Sequence, residues 1–131
     1  MSYNKYNARK ITMGGYTFDS QAEARRWQQL CMLANAGDII SLEVHPVFVL
    51  LKDFVDADGK KIRRIKYEAD FSYFQVTSYK DPEGLIRVVE DVKGAKTPEF
   101  KLKEKLMKWS IAKKIPGFER LKFVVIPSNE V

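Results

Sequence analysis

Asp70, Asp91 and Lys93 are the residues of this 131-residue chain whose types and spacing point to chemistry. Asp91 and Lys93 lie two apart in the run Leu85–Lys93, so an extended strand presents both on one face. Asp70 falls on the charged side of the alternating run Ile62–Val76. Two carboxylates and a lysine can thus meet in one cleft. Crowded carboxylates repel one another, and a hard divalent cation relieves that repulsion. Mg2+ commonly takes one or two carboxylates and keeps positions for water and a phosphate oxygen. The chemistry this suits is phosphodiester hydrolysis, in which the cation polarises the phosphoryl group and acidifies water. Lys93 either orients the attacking water or stabilises charge developing in the transition state.

The elements that must position this trio can be read in outline. Ser20-Gln21-Ala22-Glu23 has the form of a capping box, and Gly37 is a helix stop, so a helix is predicted from Asp19 or Ser20 to about Ala36. Glu23, Trp27, Leu30 and Ala34 share one face of it. Val44–Leu51 is an almost continuous apolar run, read as a buried strand. Asp56-Ala57-Asp58-Gly59 is a turn, and its likeness to a calcium loop fails at the later ligand positions. Ile62–Val76 reads as one long strand, with Ile65, Tyr67, Ala69, Phe71 and Tyr73 on an apolar face. Arg64, Lys66, Glu68, Asp70 and Ser72 form the charged face, which makes Glu68 a further candidate ligand. A turn at Lys80–Gly84, centred near Pro82, sets Asp91 against a residue near Tyr73; a bulge or longer loop then brings Asp70 alongside. Glu90 faces away from Asp91 and reads as structural or supporting. Thr97-Pro98 opens a second helix running to about Lys114, with Leu102, Leu106 and Trp109 on one face and Lys101, Lys105 and Lys108 on another. Leu121–Ile126 is a last strand. The order α-β-β-β-α-β is that of an α/β fold, a mixed sheet with flanking helices.

Composition narrows the alternatives. One cysteine, Cys31, and one histidine, His45, exclude an internal disulfide framework and leave almost no room for a Cys/His zinc site. His45, at a strand entry, reads as structural or substrate-contacting rather than as a general base. The net charge of +6 favours a polyanion, nucleic acid first. Residues 1–65 hold 10 basic and 7 acidic side chains and residues 66–131 hold 13 and 10, so both halves come to +3 and no basic tail explains the balance. Residues 1–15 read as an irregular basic and aromatic arm whose Lys5, Arg9 and Lys10 contact DNA, and residues 16–131 as one domain. Lys101, Lys105 and Lys108 are further candidate phosphate contacts. No apolar run is long enough to span a bilayer, and residues 1–10 lack the apolar core of a secretory signal, so the expected compartment is the cytoplasm.

Asp70 followed by Asp91-Val92-Lys93 resembles the PD-(D/E)XK signature of the restriction-endonuclease-like nucleases, with Ala69 where the proline usually stands. A closer resemblance, to an uncharacterised phage family of such nucleases, runs through most of the chain. It is carried by Phe18-Asp19-Ser20-Gln21-Ala22-Glu23-Ala24, Gly37-Asp38-Ile39, Tyr67-Glu68-Ala69-Asp70-Phe71, Val89-Glu90-Asp91-Val92-Lys93-Gly94, and Thr97 with Phe100-Lys101-Leu102-Lys103. The chain departs from it at Glu43-Val44-His45, where a glutamine is expected. The resemblance implies a restriction-endonuclease-like core and an Mg2+-dependent endonuclease, with Mn2+ able to substitute. It implies Asp70, Asp91, Lys93 and Glu23 as catalytic residues and Asp70, Asp91, Val92 and Glu23 around the metal. It further implies branched DNA of the Holliday-junction kind as substrate, a homodimer, and work in a phage-infected or prophage-carrying bacterial cell. Duplex DNA or DNA ends as substrate, and a DNA-binding module without catalysis, are the alternatives.

Overall fold

The computed structural model of the chain describes residues 9–77 and 84–131. In chain order its elements are β1 (Ile11–Met13), β2 (Tyr16–Phe18), α1 (Gln21–Asn35), β3 (Ile39–Val44), β4 (Val47–Leu51), β5 (Phe54–Val55), β6 (Lys61–Ile62), β7 (Ile65–Glu68), β8 (Phe71–Val76), β9 (Leu85–Lys93), α2 (Pro98–Ala112) and β10 (Leu121–Pro127). The fold is mixed α/β, as expected from sequence. Its central sheet runs β10-β9-β8-β3, with β10 parallel to β9 and the other neighbours antiparallel. Among the described residues no helix is long and apolar enough to cross a membrane.

Each helix covers one apolar cluster. On the α1 side, Phe18, Leu30, Ile39, Phe71, Tyr73 and Val88 pack together. On the α2 side, Phe48, Leu50, Tyr67, Val89, Phe100 and Met107 do. Strand β9 supplies both clusters, Val88 to one and Val89 to the other, as period-2 alternation requires of a strand with helices on both faces.

The expected order α-β-β-β-α-β needs correction, because short strands flank and divide the expected ones. Ile11–Met13 pair with Tyr16–Phe18 through Gly14-Gly15, so only Arg9 and Lys10 of the described arm residues are irregular. Gly14 has φ +61, and a Cβ there would lie 2.3 Å from the Trp27 ring, so both backbone and packing require glycine. Val44–Leu51 is two strands, broken at His45, whose φ of 57 lies in the left-handed region, and Pro46. Strand β4 is not buried on both faces: Phe48 and Leu50 point inward, while Val47, Val49 and Leu51 are exposed.

Ile62–Val76 is likewise interrupted, at Arg63-Arg64 and again at Ala69-Asp70. Its apolar side chains keep their period of two across the second break but serve different cores: Tyr67 and Ala69 pack on the α2 side, Phe71 and Tyr73 on the α1 side. The chain changes faces at Asp70. The expected pairing of Asp91 near Tyr73 is also corrected, since Tyr73 faces Val88 and Phe71 faces Glu90. The expected turn, Lys80–Gly84, lies outside the described residues apart from Gly84. Helix α2 buries Phe100, Met107 and Ser110, with Leu106 partly covered, whereas Leu102 and Trp109 are half exposed.

Candidate metal centre and active site

Glu23 enters the site from the first turn of α1. The Ser20 hydroxyl caps the helix by accepting the Glu23 N–H at 3.1 Å. Glu23 Oε2 accepts the Asp19 N–H at 3.1 Å, one residue before the usual partner in a capping box. That leaves Oε1, which lies 2.8 Å from His45 Nε2. Cap and site are therefore served by different oxygens of one carboxylate. Glu23 is 3% exposed, and burial pushes its carboxyl above the usual range despite the His45 contact.

His45 and Asp70 face each other across the two chain breaks. The His45 N–H donates to the Asp70 carbonyl at 2.9 Å, and the Ala69 N–H donates to the Pro46 carbonyl at 3.0 Å. The left-handed turn at His45 brings its imidazole back toward α1. One ligand atom each from Glu23, His45 and Asp70 falls within 4.8 Å of the others, a spacing that can hold a metal ion. Glu68, the other charged-face candidate, is largely exposed, with Oε1 4.0 Å from His45 Nδ1.

Asp70 sits between the two faces of the sheet. Its N–H donates to the Glu90 carbonyl at 3.1 Å, and its Oδ2 accepts the Val92 N–H at 2.7 Å. Val92 thus reaches the site through its backbone, without needing its side chain. Burial pushes the Asp70 carboxyl up to about 9, with the neighbouring charges of Asp91 and then Glu23 adding to it.

Asp91 is 1% exposed and stands outside the Glu23–His45–Asp70 triplet, beside Asp70 on the α2 side. Its Oδ2 accepts a hydrogen bond from the Tyr67 hydroxyl. Its Oδ1 accepts none, although Lys93 Nζ lies 3.3 Å away as an ion-pair partner. Burial raises the Asp91 carboxyl more than Lys93 lowers it. Burial and Asp91 together raise the Tyr67 phenol, so it keeps its proton and acts as a donor. Lys93 Nζ rests 4.6 Å from the Phe100 ring centroid. Its side chain is one-third exposed, in a cleft of about 220 Å³ that Tyr67, Glu68, Thr97 and Lys103 also line.

Glu90 behaves as its opposite orientation requires. It is buried on the α1 side, where Arg26 grips both its oxygens at 2.6 and 2.7 Å and the Tyr73 hydroxyl donates to it. This clamp ties the helix of Glu23 to the strand of Asp91.

The structure clusters Glu23 and Asp70 with His45 and sets Asp91, with Lys93, beside Asp70 but outside that cluster; sequence reasoning expected all four in one region. It missed His45 as a ligand-type neighbour and Tyr67 as the partner of Asp91. Tyr67 carried no separate signal, because its ring belongs to the apolar face where it was read. His45-Pro46 carried none either, since proline favours extended backbone at the residue before it, not the left-handed turn that aims the imidazole. Lys101, Lys105 and Lys108 are exposed on α2, with Lys108 3.9 Å from Glu104. Arg9 and Lys10 are exposed, and Lys5 lies outside the described residues.

A family model described as a protein of unknown function (DUF1064) matches residues 3–125. No curated protein matches the chain, and no solved structure does. The chain belongs to the DUF1064 family.

Proposed function

We propose that this member of the DUF1064 family is a metal-dependent DNA endonuclease built on a restriction-endonuclease-like core. The observation that carries the reading is the buried Asp91 carboxyl beside the partly buried Asp70 carboxyl, next to Lys93, with Asp91 Oδ1 accepting no hydrogen bond. Two carboxylates set side by side in a mostly buried place repel each other when ionised, Lys93 offsets only part of that cost, and a divalent cation offsets the rest. The donor set fits one. Glu23, Asp70 and Asp91 would hold it through carboxylate oxygens, and Val92, whose N–H holds Asp70, would have only its backbone carbonyl to add. Oxygen donors suit Mg2+ and Mn2+, and the imidazole of His45 shifts the balance toward Mn2+. When bound, the cation supplies Lewis acidity toward a phosphate and acidified water.

The chain's own residues do the rest. The Val92 N–H and the Tyr67 hydroxyl each hold one oxygen of Asp70 and Asp91, fixing the two carboxylates in orientation. Lys93 presents a positive charge at the cleft mouth, where it neutralises charge building on a phosphate. Within this reading the substrate is a branched recombination intermediate, and a homodimer supplies one site for each strand of a symmetric junction. The cell is a bacterium carrying a phage genome, and the compartment its cytoplasm.

The test is incubation with Mg2+ or Mn2+ and labelled DNAs: a four-way junction, a flap, a linear duplex and a single strand. Metal-dependent cutting is expected, strongest on the junction. Asp91→Asn should abolish it, and Lys93→Ala should slow it about 100- to 1000-fold, the usual loss for one transition-state charge donor. Absence of cutting on every DNA overturns the nuclease reading. Equal cutting of all overturns the junction preference. Equal activity of wild type and both variants overturns the site.

A further inference from the structure

We propose that residues 52–66 form a basic, apolar-tipped β-ribbon that grips duplex DNA beside the active site. The choice of DNA as polyanion rests on the nuclease reading; the surface itself is a separate observation. Strands β4 and β7 form a two-stranded ladder, and beyond it β5 and β6 pair as a short hairpin closed by Asp56–Lys60. This arm is inserted between two site residues. Its root is closed by the His45–Asp70 and Ala69–Pro46 backbone hydrogen bonds, so arm and centre share one anchor.

The composition of the outer arm is unlike that of the rest. Residues 52–66 hold six lysines and arginines (Lys52, Lys60, Lys61, Arg63, Arg64 and Lys66) against three aspartates, a net +3, half of the chain's +6. All six cations are exposed. Two of the three aspartates are engaged internally: Asp56 Oδ1 accepts the N–H groups of Asp58 and Lys60, and Asp53 Oδ1 accepts the Arg64 N–H. Among these charges stand Phe54 and Val55, 45% and 62% exposed. Val55 faces Lys61 across the ribbon, and Phe54 faces Ile62.

That combination selects the partner. A second copy of the chain would set these cations against their own kind, a repulsive arrangement. A polyanion with apolar surfaces in its grooves meets both features at once: cations on phosphates, Phe54 and Val55 on sugars or base edges. A two-stranded ribbon also fits the major groove in width. At about 3.3 Å per residue, the stretch Val47–Val55 reaches at most about 30 Å, the length of about nine base pairs. The arm therefore touches DNA flanking the phosphate at the site rather than the phosphate itself.

The experiment measures binding, not cutting. Full-length wild type, the triple variant K60A/K61A/R63A and Phe54→Ser are titrated into a labelled duplex in EDTA over a range of salt concentrations. A control triple, R25A/K113A/K122A, removes the same charge elsewhere. The arm triple is expected to bind about tenfold more weakly or worse, with a salt slope shallower by about 2.7, corresponding to three lost phosphate contacts. Phe54→Ser is expected to weaken binding with the slope unchanged, and the control to lose less than the arm triple in affinity and in slope. Equal losses in the arm and control triples overturn the proposal, as does a wild type that binds no duplex. An arm triple or Phe54→Ser that converts an oligomer to a monomer without changing DNA affinity also overturns it, making the arm a self-association surface. A wild type that binds through the arm yet cuts no DNA leaves the arm standing and removes the nuclease reading. Cutting with unaffected binding in the arm variants does the reverse.

Discussion

Glu23 shows how one side chain can satisfy two demands that a sequence presents as rivals. In the helix its Oε2 closes the N-terminal turn; in the site its Oε1 meets His45. Glu23→Gln separates the two demands, because an amide oxygen still accepts the Asp19 N–H but carries no charge. Its unfolding free energy should stay within about 1 kcal/mol of wild type, a typical cap contribution, while Mn2+ affinity falls about tenfold or more. Denaturant melts and Mn2+ titration followed by thermal shift check this. Unchanged Mn2+ affinity would reduce Glu23 to a cap. Asp70 adds a pH dependence. Its carboxyl is raised from 3.8 to about 9, so the folded chain keeps a proton that the unfolded chain has released. The resulting stability is fully present below about pH 4 and is lost as pH rises toward about 9. Metal must displace that proton, so Mn2+ protection should grow over the same range. Denaturation in EDTA and in Mn2+, with Asp70→Asn as the flat reference, reads both trends. Asp70, Asp91 and Lys93 were legible in the sequence because strand alternation aims side chains without knowledge of tertiary contacts. His45 was not legible, because its approach depends on a left-handed backbone turn that no side-chain pattern encodes.

At the scale of elements, legibility followed locality. Both helices announce themselves through caps, and Ser20 and Thr97 each accept the backbone N–H three residues on. Strand β9 runs Leu85–Lys93, the bounds that its Leu, Ile and Val content and the stop at Gly94 indicate. The long run Ile62–Val76 misled because a period of two persists across the break at Ala69-Asp70, although the faces it addresses belong to different cores. Alternation reports that a residue is buried but not which layer buries it. The β1–β2 turn gives a sharp test of packing. Gly14→Ala must force a methyl against Trp27 at a φ of +61, and should cost about 2–3 kcal/mol. Urea unfolding measures it, and a loss below about 0.5 kcal/mol would mean that Trp27 swings aside freely.

For the whole molecule, the Arg26–Glu90 clamp joins the helix holding Glu23 to the strand holding Asp91. Glu90→Ala leaves the Arg26 guanidinium without its partner in a largely buried position, and should cost about 3 kcal/mol. A chemical melt checks the cost. Metal affinity measured well below the midpoint shows whether the two elements stay aligned, and a drop there is the expected outcome. The central sheet also imposes an order of assembly. Strand β9 lies inside the sheet, and its neighbour β10 follows it only after α2 has been made. Strands β8 and β9 are close in sequence and can pair early. Their outer edge then waits for Leu121–Pro127. At about 5–20 residues per second, the 28 residues from Lys93 to Leu121 hold that edge open for roughly one to six seconds on the ribosome. A chain cut before Leu121 never closes it and should accumulate as insoluble protein, whereas one cut after Pro127 should remain soluble; fractionation of the two expressed lengths decides. The parallel strand that completes the sheet is thus also the step that ends the nascent chain's exposure to aggregation.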